Sequence, residues 1–136
     1  MLVVTGRHRP HEVLFLGFSA VTGAAFVAGA KPPGTLESLM DLWVLWTWYG
    51  LLLASGVVGL ISFLLSDLYR ALVYERAAMV GHVTAPTMYG VALLATGQAT
   101  ALFAGAFCLT WAAASGWRCW QVQQDIRSLR RMEKTP

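Results

Sequence analysis

Charge is what this sequence has least of. Only 12% of its 136 residues are Asp, Glu, Lys or Arg, against 57% that are hydrophobic, roughly half the charged share of an ordinary soluble domain at about 25%. So little polar surface cannot clothe a water-soluble globule. From Ala77 to Trp117 there is no Asp, Glu, Lys or Arg at all. At about 1.5 Å rise per residue that run crosses a hydrocarbon core about 30 Å thick twice, and only a helical hairpin uses the length. Cysteine is scarce as well. Cys108 and Cys119 fall on one predicted helix about 16 Å apart, too far to pair, which leaves both as small apolar packing residues. Nucleophile elbows, His-Glu-x-x-His and phosphate-binding loops are missing, and the cysteines are wrongly spaced for zinc. The expectation is a protein that is not an enzyme and uses no metal or cofactor.

What the chain does have is four apolar stretches in one domain: residues 1–12 as a basic N-terminal segment, 13–119 as the membrane domain and 120–136 as a polar tail. The first predicted span is Val13 to Ala30, closed by Lys31-Pro32-Pro33-Gly34, because a Pro pair breaks the hydrogen-bond ladder. Its basic start and Ala28-Gly29-Ala30 also match a secretory signal cleaved after Ala30. The apolar region exceeds the usual core of about 7–15 residues, and the four-span reading retains it. Thr35 to Asp41 is expected as an outer loop, with a brief turn capped by Thr35, Glu37 and Ser38 and with Leu36, Leu39 and Met40 at the interface.

Leu42 to Leu65 is the most apolar span. Trp43, Trp46, Trp48 and Tyr49 crowd its start, where amphipathic rings anchor a helix at the headgroup boundary. Helix is expected to run on from it into the charged segment Ser66 to Arg76, where Asp67 and Arg70 form an i,i+3 pair. The remaining spans are about Ala77 to Ala95 and Ala99 to Trp117, joined by a turn at Thr96-Gly97-Gln98.

Small residues recur every four positions: Ser55 and Gly59; Ala77, Gly81 and Ala85; Ala104, Cys108 and Ala112. Such faces let helix backbones approach closely, and they point to a tightly packed hairpin and to self-association. The tail places Val122, Ile126, Leu129 and Met132 on one side and Arg127, Arg130, Arg131 and Lys134 on the other. That is the pattern of a basic interfacial helix lying on anionic headgroups.

Orientation follows from the cations. Arg7, Arg9, Arg70, Arg76, Arg118, Arg127, Arg130, Arg131 and Lys134 all fall on one side of the threaded chain and Lys31 alone on the other, so both termini are expected in the cytoplasm. A net charge of +3 would favour nucleic acid in a soluble protein, but here the charges flank apolar segments and no nucleic-acid module accompanies them. The preference for Arg over Lys beside abundant Ala, Gly, Val and Leu fits a GC-rich bacterial or phage genome.

The third span is the least apolar and holds the candidate functional residues His82, Thr84, Pro86, Thr87 and Tyr89. His82 titrates near neutral pH, and an ionisable group inside a membrane is by default a functional candidate; the alternative is a neutral packing histidine. Pro86 frees a carbonyl that a Thr hydroxyl can satisfy, giving either a hinge or a structural kink.

The chain is unlike the small multidrug exporters, whose first span carries a Glu. It also differs from the quinone-linked disulfide-forming proteins, whose external cysteine pairs it lacks, and from the fluoride channels, whose polar filter it lacks. In its short length, several spans, small-residue faces and basic tail, it resembles holins and other small phage membrane proteins. That resemblance is architectural and covers the whole chain. It implies accumulation in the inner membrane, homo-oligomerisation and a lesion that releases an endolysin. The residues themselves also allow an accessory subunit of a larger membrane complex, or a proton- or solute-coupled transporter with His82 on its path.

Overall fold

The computed structural model describes residues 10–132 and is all-helical there. Five helices follow in order: α1 (Pro10–Val27), α2 (Gly34–Leu39), α3 (Leu42–Leu64), α4 (Leu68–Ala95) and α5 (Ala99–Met132). All but the six-residue α2 are long and apolar enough to cross a membrane. Arg7, Arg9 and Lys134 lie outside the described residues.

Helix ends depart from the expected boundaries for local reasons. α1 opens on Pro10, whose fixed φ and missing N–H suit the first position of a helix. It ends at Val27 rather than Ala30 because Gly29 turns the chain at φ 98°, a conformation open chiefly to glycine. The amide of Ala30 then donates to the carbonyl of Ala25 at 2.9 Å, so the stop precedes the Pro pair. The N-cap of α2 is Pro33, whose side chain makes no capping hydrogen bond, and the side chain of Thr35 lies outside the described residues. Leu36 is fully buried with Leu45 and Trp48 instead of meeting the interface, while Leu39 stays exposed. α3 ends at Leu64, and the Asp67 carboxylate starts a new helix by accepting from the amides of Tyr69 at 2.9 Å and Arg70 at 3.2 Å. The charged extension therefore belongs to α4 and not to α3.

The long helices pack antiparallel in the series α1, α3, α4, α5. Small residues set the first seam. A methyl group on Gly23 would strike the backbone of Leu53, one on Gly56 the backbone of Ala20, and one on Gly59 the side chain of Leu16. In the α3–α4 seam a Cβ on Gly81 would lie 2.6 Å from that of Ser55. The Trp48 indole N–H donates to the Ala85 carbonyl at 2.9 Å. Gly90 and Gly105 mark the closest approach of α4 and α5, each Cβ position lying 3.1 to 3.2 Å from the other residue's carbonyl oxygen.

These contacts correct three expectations. Trp43 and Trp46 point outward, but Trp48 and Tyr49 are core residues. Ala77 is exposed, because the buried face of α4 runs through Ala71, Glu75, Ala78 and His82, and Ala104 is only half-buried, with Gly105 taking the contact. The small faces at Ser55, Gly59, Gly81, Ala85, Cys108 and Ala112 are buried inside one chain, which fills the surface expected to meet a second copy.

The tail is the fourth correction. α5 is one helix of 34 residues, about 51 Å long, with no break between span and tail. Val122 and Ile126 are buried against Leu72, flanked by Leu68 and Leu129. Two residues of the apolar stripe expected on headgroups, Val122 and Ile126, are thus covered by the start of α4, while Met132 stays exposed. Arg76 donates to Gln123 at 2.6 Å and Arg130 to the Tyr69 hydroxyl at 2.6 Å, with the guanidinium 5.6 Å from that ring. The two helices form a stalk beyond the start of α1.

Glycines of the two kinds should respond oppositely. Gly56→Leu forces α1 off α3 and should lower the melting temperature in detergent, at a cost of about 1–3 kcal/mol or more. Gly50→Ala, at an exposed position with nothing within 4 Å, should raise it by about 0.5–1 kcal/mol equivalent through helix propensity. Equal melting of the two variants would contradict the packing scheme.

Candidate functional site

The series leaves one side of the bundle open. No Cα of α1 comes within 8 Å of a Cα of α5, and that side is bridged by side chains. Phe15 and Phe18 of α1 meet Trp111 of α5 with ring centroids at 4.9 and 6.4 Å. At the end where α1 begins, Arg118 closes the gap. Its Nε donates to Glu75 at 2.8 Å and its Nη2 lies 2.7 Å from the same oxygen. Glu12 of α1 stands 3.4 Å from Nε. All three side chains are about nine-tenths buried. A guanidinium removed from water needs carboxylates around it, and each carboxylate needs the guanidinium, so none of the three can leave alone without a large penalty.

Between these bridges lies a cleft in two chambers separated by Trp111 and Phe107, which line both. The chamber beside Arg118 has a volume of about 400 Å³; its walls are largely apolar, with Phe15, Met79, Trp111 and Trp117, and carry the polar groups of His11, Glu12, His82, Ser115 and Gln121 from α1, α4 and α5. The other, of about 470 Å³, is walled mainly by apolar groups such as Phe26, Leu52, Pro86, Phe103 and Cys108. Volumes in this range suit small ligands.

The five candidates of the third span divide across α4. His82 faces the polar chamber; Pro86 and Tyr89 face the apolar one. Thr84 and Thr87 lie on the opposite side, in a shallow groove with Met40, Val44 and Met88. Their hydroxyls donate to the carbonyls of Val80 at 2.9 Å and Val83 at 2.6 Å. Neither takes the His82 carbonyl, which loses its usual i+4 donor at Pro86. The five candidates thus do not share one cavity.

His82 is 3% exposed, and its ring stands edge-on to Trp111 at 5.5 Å. Its Nε2 has no hydrogen-bond partner, nor does the buried side-chain oxygen of Gln121 in the same chamber. Such atoms normally find a partner. Among the described residues no group of three or more His, Cys, Asp or Glu could hold a metal ion. Both cysteines are free thiols.

Sequence reasoning missed Glu12, Glu75 and Arg118 as a unit, taking Arg118 for an interfacial cation. A signal was present. In a hairpin turning at Gly97, residues nearly equidistant from that turn face each other, as Gly90 and Gly105 do, and the same register places Glu75 opposite Arg118 and His82 opposite Trp111.

Arg118→Met strands Glu75 in a buried site and should cost about 3–5 kcal/mol, read as a lower unfolding midpoint in detergent. Glu75→Gln keeps an acceptor and should cost less, and Glu75→Leu with Arg118→Met should melt above Arg118→Met alone. Unchanged melting of Arg118→Met would show that the cluster holds nothing together. Comparison with protein-family models, curated proteins and solved structures finds no match for this chain, so its function has to be argued from the cleft itself.

Proposed function

We propose that this chain is an integral protein of the inner (cytoplasmic) membrane with both termini in the cytoplasm. It acts without catalysis, as an accessory subunit whose binding surface is the α1–α5 cleft. One observation carries this reading: three sides of the bundle are closed by backbone-close packing, whereas the fourth is spanned by side chains around two chambers that open sideways. A surface left unfilled in an otherwise tightly packed molecule is where a ligand or partner fits.

Orientation rests on charge. Arg70, Arg76, Arg127, Arg130 and Arg131 belong to the stalk end, while Lys31 follows α1 at the other, and basic segments are retained on the cytoplasmic side. Arg118 drops out of this count, since two carboxylates offset it. The arginines of the stalk meet anionic headgroups, at about 1 kcal/mol for each one near the surface.

The holin-like reading drew its self-association from the small-residue faces, and these are occupied by the chain's own helices. A transport path along Thr84 to Tyr89 is likewise disfavoured, because those residues face two sides of α4. An accessory role uses the surface that remains.

A photoreactive residue at Phe107, 55% exposed on the rim of both chambers, should give one discrete adduct when irradiated in native membranes. The same group at Leu64, 84% exposed, should not. Expression of the chain alone should leave the membrane potential intact. Collapse of the potential would instead establish pore formation, and the lack of a discrete adduct at Phe107 would remove the cleft as the working surface.

A further inference from the structure

The cleft differs from an ordinary gap between helices in being chemically two-ended. At the Arg118 end His82 Nε2 and the Gln121 oxygen are buried with no hydrogen-bond partner, in a chamber of about 400 Å³. A single ordered water could satisfy one such atom, but the chamber holds far more than one water, and the second chamber, on the far side of Trp111 and Phe107, offers water few partners. The cleft thus offers a few polar groups at one end and almost none at the other.

Charge narrows the choice. The one guanidinium among the described residues lining the polar chamber is Arg118, and Glu75 and Glu12 already hold it. An anionic head approaching Arg118 would meet a carboxylate beside it. A cationic head would be drawn by the second carboxylate of the cluster but would have to give up its hydration among walls that are otherwise apolar, which is costly. A neutral head meets neither penalty. Phe15 and His82, each in contact with Trp111, form with it an aromatic wall against which such a head can rest.

Resting on the cleft as the working surface, we propose that it holds a neutral amphiphile drawn from the bilayer, whose hydroxyl or carbonyl head hydrogen-bonds His82 and whose alkyl chain fills the chamber beyond Trp111. The depth agrees with this. Arg118 marks the charged end of the cleft, Trp111 lies about 10 Å further in along α5, and Ala104 about 10 Å beyond that. The chain of such a molecule points toward the membrane interior, as a bilayer lipid's does. The lateral opening lets it enter without crossing water.

The test uses the full-length chain in phosphatidylcholine nanodiscs and three probes of one chain length: monodecanoylglycerol, decanoate and decyltrimethylammonium. Native mass spectrometry counts the bound molecules. Monodecanoylglycerol should bind saturably and more tightly than either charged probe. His82→Phe should weaken it about tenfold, the contribution of one buried hydrogen bond, and His82→Gln, which keeps a polar group there, should restore most of the loss. Ala104→Trp, which fills the apolar chamber from its wall, should weaken binding at least as much, while Leu64→Ala should leave it unchanged. Melting curves establish that each variant is folded, and His82→Leu, which also removes the polar group, stands in if His82→Phe is not. Equal affinity for all three heads, undiminished binding by a folded His82→Phe, or no saturable binding would overturn the assignment. The two levels separate cleanly: a protein-sized adduct at Phe107 without amphiphile binding sinks the ligand and keeps the cleft, whereas loss of both sinks the cleft itself.

Discussion

A guanidinium with almost no water around it governs how this molecule closes. Arg118 sits on α5, Glu75 on α4 and Glu12 on α1, so one cation joins the two helices of the C-terminal hairpin to the first helix of the chain. Each of the other seams between long helices includes a close approach at glycine, alanine or serine. Between α1 and α5 there is no such approach, and the charged cluster together with the rings of Phe15, Phe18 and Trp111 spans the gap. The spacing of these bridges decides where the open volume lies and how wide it is. The cleft is a consequence of fastening two helices by long side chains instead of short ones.

Much of the architecture was legible in the sequence because lipid imposes a simple rule: a crossing must be helical and long enough, and charge must stay near its ends. The absence of charge from Ala77 to Trp117 gave the hairpin and its turn near Gly97. Finer features depended on partners far along the chain. Trp48 and Tyr49 carry the same local signal as Trp43 and Trp46, yet Trp48 bonds to α4 and Tyr49 stacks on Phe26 of α1 while Trp43 and Trp46 face outward, a difference set by the rotation of α3 against its neighbours. The stripe at Ala77, Gly81 and Ala85 was right in spacing and one residue out at its start, and the partner of each small face could not be read from the face alone.

The site was less legible than the fold. His82 stood out as an ionisable residue in an apolar run, and its chamber confirms that it is buried beside unfilled space. Thr84 and Thr87 shared its polarity but not its side of the helix, since 3.6 residues per turn separate neighbours in sequence across the bundle. Arg118 looked like any cation flanking a span. Only the hairpin register, counted outward from Gly97, sets it against Glu75, and Glu12 comes from a helix more than sixty residues away.

The unbroken course of α5 has a mechanical meaning. One end of this rod carries Arg130 against Tyr69, outside the level where α1 begins, and its middle carries Trp111, the partition between the chambers. Long helices bend gently and kink sharply only at defects such as proline; α5 contains no proline and stays helical through Ser115-Gly116. A torque applied to the projecting end is therefore felt as rotation of the partition, which makes the stalk a handle on the width of the cavity.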